Sequence, residues 1–514
     1  MKANYIINTL FKYSKLISKN QSIRSLIDFM KVRVGLIREV LFFSKKKDND
    51  SIRKISRYNL EIVSEIPYEQ LKIVKDLTAE KMLIIREMDI EQAKLALGIS
   101  KEQLKIVKSL DLIQLRECVN YVNTKKLKPA IEPESIMSID ISQYRHSELS
   151  VANVLILADN NHPANVVQDY INAFLEHSQH NITIWNPLNT TEEDFSLFLN
   201  DYDVIIIHYS VCVLFEYFLP KYLMNKIIKY NGLKIQIIQD EFRWINRMAN
   251  RLELLGIDIL ISSLNTENIK KVYHHYGLRY VKKYHSLPGY VPNYLLTRNS
   301  PPIENRNNHL TYRGRQLHYY YGAVSQEKST IETYFKEISR KYNLKVNLAS
   351  KEDERLYGED WINLIQSSKA VLGVEGGASI FDFDETISLN VNKYLMYYPG
   401  VDFSIVAKEV LKPYEGNIIH RTITPRIFEA ICLRTALVLY PGSYSNILIP
   451  WQHYIPIEKD GANVSVVVER LKDDSYLAEM TDRAYREIAL NPELQFKNYI
   501  SKLDILISNE LRAK

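Results

Sequence analysis

The sequence predicts an α/β protein with two parallel-sheet domains in tandem behind an all-α region. Three features carry this reading. β-Branched runs alternate with amphipathic stretches from residue 151 onward, a Pro- and Asn-rich break divides that alternation, and an eleven-residue repeat precedes it. Alternating strands and helices imply a parallel sheet wrapped by helices. At 514 residues the chain is also too long for one ordinary core.

Residues 1–57 form the first region, a basic amphipathic helical segment containing "LFKYSKLI" and "MKVRVGLIREVLFF". It holds 14 Lys and Arg against four acids, a net +10, whereas the remainder carries 52 basic and 57 acidic residues, a net −5. The basicity therefore belongs to this segment alone. It reads either as a solvated helical cap or as attachment to an anionic membrane surface, each well-placed cation contributing ~1 kcal/mol. Nucleic acid ranks below both, because nothing downstream resembles a base-reading module, and no nucleic-acid partner is expected.

Residues 58–130 repeat with a period of eleven, as in EQLKIVKDLTA and EQLKIVKSLDL. The third, fifth, sixth and ninth positions form one apolar stripe at helical spacing. Thr78, Asp89, Ser100 and Asp111 recur at the tenth position and are good N-caps. Capping boxes pair Asp89 with Gln92 and Ser100 with Gln103. Stacked short helices are favoured over one rod, and oligomerisation is the expected role.

After the linker "KLKPAIEPESIMSIDIS", residues 150–303 form the first α/β domain, with strands expected at 151–158, 181–185, 203–208, 234–239 and 257–262. The break "RNSPPIENRNN" introduces residues 304–514, with strands expected near 317–323, 344–348, 369–374 and 435–440. Three scattered cysteines, Cys118, Cys212 and Cys432, suit a reducing compartment. The N-terminus lacks signal-peptide order, so a cytoplasmic location is expected.

A ligand between such domains belongs at the carboxyl ends of the strands. In "TYRGRQLHYYYGAVSQEK", Arg313 and Arg315 flank a glycine, and Glu327 and Lys328 follow near a helix start, a pattern suited to a diphosphate. Surface cations paired with local acids explain the same residues. In "AVLGVEGGASIFDFD", Glu375, Gly376 and Gly377 end a buried strand, with Asp382 beyond, and the glycines admit either a close ligand or a tight turn. In "PRIFEAICLRTALVLYPG", Arg426 and Glu429 share a helical face. They form an internal salt bridge, or Glu429 accepts ribose hydroxyls while Arg426 faces phosphate. Asp240 and Glu241 end a first-domain strand where a general base belongs, unless Asp240 is simply an N-cap. His208 ends another strand. No Walker loop and no Gly-x-Gly-x-x-Gly follows the first strand, which argues against P-loop and ordinary NAD enzymes.

Together with "LGVEGGASIFDFD" and "LPGYVPN", these motifs resemble the GT-B-fold glycosyltransferases, whose two domains are Rossmann-like. Within them the chain is most similar to the group-1-like branch that includes the CgeB-type spore-maturation proteins, as found in bacterial surface-polysaccharide clusters. The resemblance covers about residues 150–505. It implies a nucleotide-sugar donor held by the second domain, no cofactor, no metal, and a glycan or lipid-linked glycan acceptor, near which the basic N-terminal segment would hold the enzyme at the inner face of the membrane. By position, Glu429 would bind ribose, Arg313, Arg315 and Lys328 would neutralise the diphosphate, and Gly442, Ser443 and Tyr444 would close on the donor. Retaining relatives often carry a second acid eight residues before the ribose-binding one, where this chain has Arg421. The other reading is a binding scaffold of the same fold without turnover.

Overall fold

The computed structural model describes residues 150–514, and the readings of residues 1–57, of the 58–130 repeat and of the following linker lie outside it. The first sheet comprises β1 (Asn153–Leu157), β2 (Asn181–Trp185), β3 (Val204–Ile207), β4 (Leu233–Ile238), β5 (Ile259–Ser262) and β6 (Lys282–His285). All its pairings are parallel, in the order β2-β1-β3-β4-β5-β6. Helices α1 (Asn165–His177), α2 (Lys221–Lys229), α3 (Ile245–Leu255) and α4 (Thr266–Val272) connect the strands. Burial on both faces explains why β3 reads as continuous Val-Ile-Ile-Ile instead of alternating.

The second sheet contains β7 (Asn308–Arg313), β8 (Val346–Ala349), β9 (Ser368–Gly373), β12 (Ala436–Leu439) and β13 (Ile455–Pro456), again all parallel. Between β9 and β12 a two-stranded ribbon pairs β10 (Gly376–Ala378) with β11 (His420–Thr422). The order β13-β12-β9-β7-β8 repeats the first sheet's pattern, its second strand at one edge beside the first. Its helices are α5 (Ala323–Lys341), α6 (Gly358–Gln366), α7 (Thr386–Tyr397), α8 (Pro425–Cys432), α9 (Val464–Lys472) and α10 (Asp474–Ala484).

Two expectations are corrected. The strand expected near 317–323 is a 3-10 turn at Tyr319–Tyr321 running into α5, and the strand itself is Asn308–Arg313. The tyrosines suit a strand by propensity, but Gly322 at φ +80° turns the backbone into the helix. The last helix, α11 (Phe496–Ala513), packs on the first sheet although its sequence lies within the second domain. Phe496, Ile500, Leu503 and Ile507 join Val154, Ile156 and Ile206 in one core, and the Asp504 carboxylate accepts from Ser178 Oγ (2.8 Å) and Gln179 N (2.7 Å).

The lobes are also joined by backbone. Asp382 N donates to the Phe242 carbonyl (2.8 Å) and Asn246 N to the Phe383 carbonyl (3.0 Å). Among the described residues no helix is long and apolar enough to cross a membrane.

Candidate active site

In both sheets the chain leaves the first and third strands in opposite directions, which opens a crevice at their carboxyl ends. In the first sheet the crevice is built from the ends of β1 and β3, with β4 beside them; in the second it lies between β7 and β9. The second crevice receives Arg313 and Arg315 from the end of β7, Glu375 just past β9, Lys328 from α5 and Arg426 from α8.

Lys328 is influenced by charges of both lobes. Burial pushes its ammonium below the usual lysine range, Asp240 of the first lobe opposes that shift, and Arg426 and Arg315 add to it. Its Nζ has no acceptor among the described residues, although Tyr312 anchors the Lys328 carbonyl by a hydroxyl bond of 3.0 Å. An ammonium without a hydrogen-bond acceptor, within reach of two guanidinium groups, is suited to an anion. Arg426 is steadied from two sides, donating to the Arg313 carbonyl and lying 5.6 Å from the Trp361 ring.

The other two arginines of the motif are engaged locally. The Arg313 guanidinium bonds the Tyr312 carbonyl (2.8 Å) and Asn347 Oδ1 (2.9 Å), and exposed Arg315 pairs with Glu352 at 3.2 Å. The N-terminus of α5 is not open to a phosphate either, because Glu415 accepts from Ala323 N at 3.1 Å and Ser379 Oγ from Val324 N at 3.1 Å. The carboxylate of Glu415 already occupies the positive end of that helix.

Glu429 is buried on α8, and its Oε2 accepts from the Trp361 indole at 2.7 Å. Burial raises its pKa, against the indole bond and Arg426, which lower it. Across the lobe boundary lies Asp169 of α1, raised to about 8 by burial first, then by Glu429 and Glu176. Neither Asp169 nor Trp361 carries a motif, so sequence could not nominate them.

Glu375 is buried at the base of the loop that follows β12. Its Oε1 accepts from Tyr444 N (2.7 Å) and Ser443 Oγ (3.1 Å), while Arg421 Nη1 stands 3.6 Å from Oε2. Arg421 in turn holds Glu327 by two bonds of 3.0 and 2.7 Å, and Lys459 joins Glu327 at 2.7 Å. Tyr444 is fully buried and donates to the Tyr440 carbonyl at 2.6 Å, whereas Gly442 is exposed.

Four assignments are corrected by these surroundings. Asp382 receives the Ile387 and Ser388 amides at 3.3 and 2.8 Å, so it caps α7 from within the core. Gly377 is required by the close approach of β11, since a Cβ there would lie 2.0 Å from the His420 carbonyl oxygen, and Gly376 pairs with Thr422 in the same ribbon. Glu241 is buried, accepting from Tyr273 (2.5 Å) and Ser262 (2.8 Å), and burial raises it to about 8. His208 is fully buried and held neutral by burial, its pKa lowered to about 3. Its Nδ1 contacts Ser210 Oγ at 2.9 Å, and Tyr209 and Tyr170 surround the ring at 4.0 and 5.0 Å. Asp240, exposed at the end of β4 with φ +58°, is the remaining candidate base that faces the cations.

No family model and no curated protein matches the sequence. Among solved structures, the chain is similar to an α-glucosyltransferase in complex with UDP and a 13-mer DNA, at 12% identity and a TM-score of 0.42, covering 70% of this chain and 100% of that one. A second α-glucosyltransferase structure holds UDP-glucose and DNA containing an abasic site (11%, 0.44, 70% and 100%). A third, the T4 phage BGT with UDP and Mn2+, matches at 13% identity and 0.42, covering 70% and 99%. The expectation that excluded a nucleic-acid partner does not stand beside neighbours held in complex with DNA, and it is withdrawn. Among the described residues no group of three or more His, Cys, Asp or Glu is placed to hold a metal ion.

Proposed function

We propose that the protein is a glycosyltransferase that moves a sugar from a nucleoside-diphosphate donor to a hydroxyl acceptor. One observation carries this reading: Lys328 has no hydrogen-bond acceptor among the described residues and lies within electrostatic reach of Arg315 and Arg426 and of Asp240 in the other lobe. Such a pair suits a reaction in which a phosphate leaves toward cations while a carboxylate takes the proton of the incoming hydroxyl. The proton passes from the acceptor oxygen to Asp240, that oxygen bonds the anomeric carbon, and the nucleoside diphosphate departs with the electron pair of the broken bond. Glu429, positioned by Trp361, is the proposed ribose acceptor, reading its two hydroxyls through the oxygen the indole leaves unbonded.

The resemblance points to a surface glycan as the acceptor, so oligosaccharide, lipid-linked glycan and DNA belong in one acceptor panel, with Mn2+ and chelator as paired conditions. Nucleotide release from UDP-glucose is the first assay, alongside other nucleotide sugars. Glu429→Ala is expected to lower donor-dependent release at least about tenfold while the melting curve stays cooperative. Undiminished turnover in that variant removes the ribose assignment. Binding without product across the whole panel favours the scaffold reading, which Arg421 at the position of the relatives' second acid supports.

A further inference from the structure

The loop that carries Asp240 also carries a guanidinium that the proposed transfer does not use. Arg243 and Trp244 follow the end of β4 and precede α3. The Arg243 Cζ lies 3.5 Å from the centre of the Trp244 ring and 5.8 Å from that of Tyr320, a residue of the second lobe. Its Nη1 donates to the Tyr320 hydroxyl at 2.6 Å. Tyr320 is buried and stacks on exposed His318, ring centres 4.8 Å apart at 11°. Phe215 packs on Trp244 in a T-shaped pair at 5.1 Å. The rings fix the plane of the guanidinium, and its other N–H donors have no acceptor among the described residues. This arrangement is held against backbone strain. Asp240 and Trp244 bracket the loop, both at φ +58°, a region that a bulky side chain such as Trp rarely adopts.

No carboxylate pairs with Arg243 among the described residues. The acids nearby are engaged elsewhere: Asp382, bridged to Arg243 through the backbone, accepts from the Ile387 and Ser388 amides, and Glu385 pairs with Arg247 at 2.7 Å. A guanidinium meets a phosphate with two parallel bonds. Exposed His318 lies within electrostatic reach of Arg243 and Arg315, so donors come from more than one plane, which suits tetrahedral phosphate oxygens better than a planar carboxylate. Half-buried Tyr321 lies within electrostatic reach of both Arg243 and Asp240, which places this cation in the neighbourhood of the proposed base.

Resting on the glycosyl-transfer reading, we propose that Arg243 recognises the acceptor, binding a phosphodiester group that the acceptor carries close to the hydroxyl presented to Asp240. The acceptor is then a phosphate-linked chain and not a neutral glycan.

Binding to the full chain tests this with two phosphodiester probes, single-stranded oligo(dT) and poly(glycerol phosphate), beside neutral dextran and carboxylated polygalacturonate. At least one phosphodiester probe is expected to bind about tenfold or more tightly than either control, and the tighter of the two identifies the source of the phosphate. Arg243→Ala is expected to weaken that binding at least about tenfold, and Arg243→Lys, which keeps the charge but loses the fork, at least about threefold. Arg247→Ala, whose charge Glu385 already matches, is expected to change it by less than about twofold. Melting curves report folding, and UDP affinity is measured in each protein. If the phosphodiester probes bind no more tightly than the controls, or folded Arg243→Ala keeps full affinity, the proposal is overturned, and UDP binding by the wild type leaves the glycosyl-transfer reading standing. If the wild type binds none of UDP, GDP, TDP or ADP, that reading falls, and the acceptor role of Arg243 falls with it.

Discussion

The two sheets share one strand order, yet their carboxyl ends are finished in opposite ways. At the first, His208 is sealed among tyrosines and Glu241 is consumed by Ser262 and Tyr273, so only Asp240 remains outside. At the second, cations gather near the crevice, and the Lys328 ammonium has no hydrogen-bond acceptor among the described residues. Repeating a topology therefore does not repeat a site. The crevice is set by strand order, but its chemistry depends on which polar groups the interior has already satisfied.

The adjacent residues Asp240 and Glu241 test this division most severely. Asp240→Asn is expected to cut transfer by about 10² to 10³ with little effect on melting, as the loss of a general base does. Glu241→Gln is expected to lower the melting temperature, since a buried hydrogen-bond acceptor is weakened at a cost of about 1–3 kcal/mol, and to leave turnover within a few-fold. Transfer assays beside thermal melts check both, and equal loss of turnover in the two variants would erase the distinction.

A smaller effect probes the boundary between the lobes. Asp169 is raised from 3.8 to about 8 in the fold, so folding takes up a proton between those values. Its stabilising contribution is complete below the unfolded value and is lost as pH rises through about 8. Relative to Asp169→Asn, the wild type is expected to lose melting temperature between about pH 4 and about pH 8, and to level off above that. Parallel melting curves for the two proteins would show that the carboxyl is not held protonated.

Most of this architecture was legible in the sequence because buried parallel strands advertise themselves. "VLIL", "VIII" and "ALVL" each appear where a strand was expected. The failures have physical causes. Propensity favoured "LHYYY" as a strand, but one glycine at positive φ decided for a helix. The return of α11 to the first sheet depends on which apolar face meets which core, and nothing local to "FKNYISKLDILISNEL" states that. For the site, residue type located the acids and cations but not their occupancy. Asp382 and Asp240 look alike in sequence, yet one caps a helix and the other faces a lysine. Arg421 likewise read as a missing acid, whereas in space it stands beside Glu375 and Glu327.

Lys328 is the residue proposed to hold a nucleoside diphosphate in the second crevice. Titrating UDP into the wild type and into Lys328→Ala tests it directly. Saturable binding by the wild type is expected to weaken at least about tenfold in the variant, and to weaken further with salt for both, as a charge-assisted contact does. Equal affinity in the two proteins would contradict it.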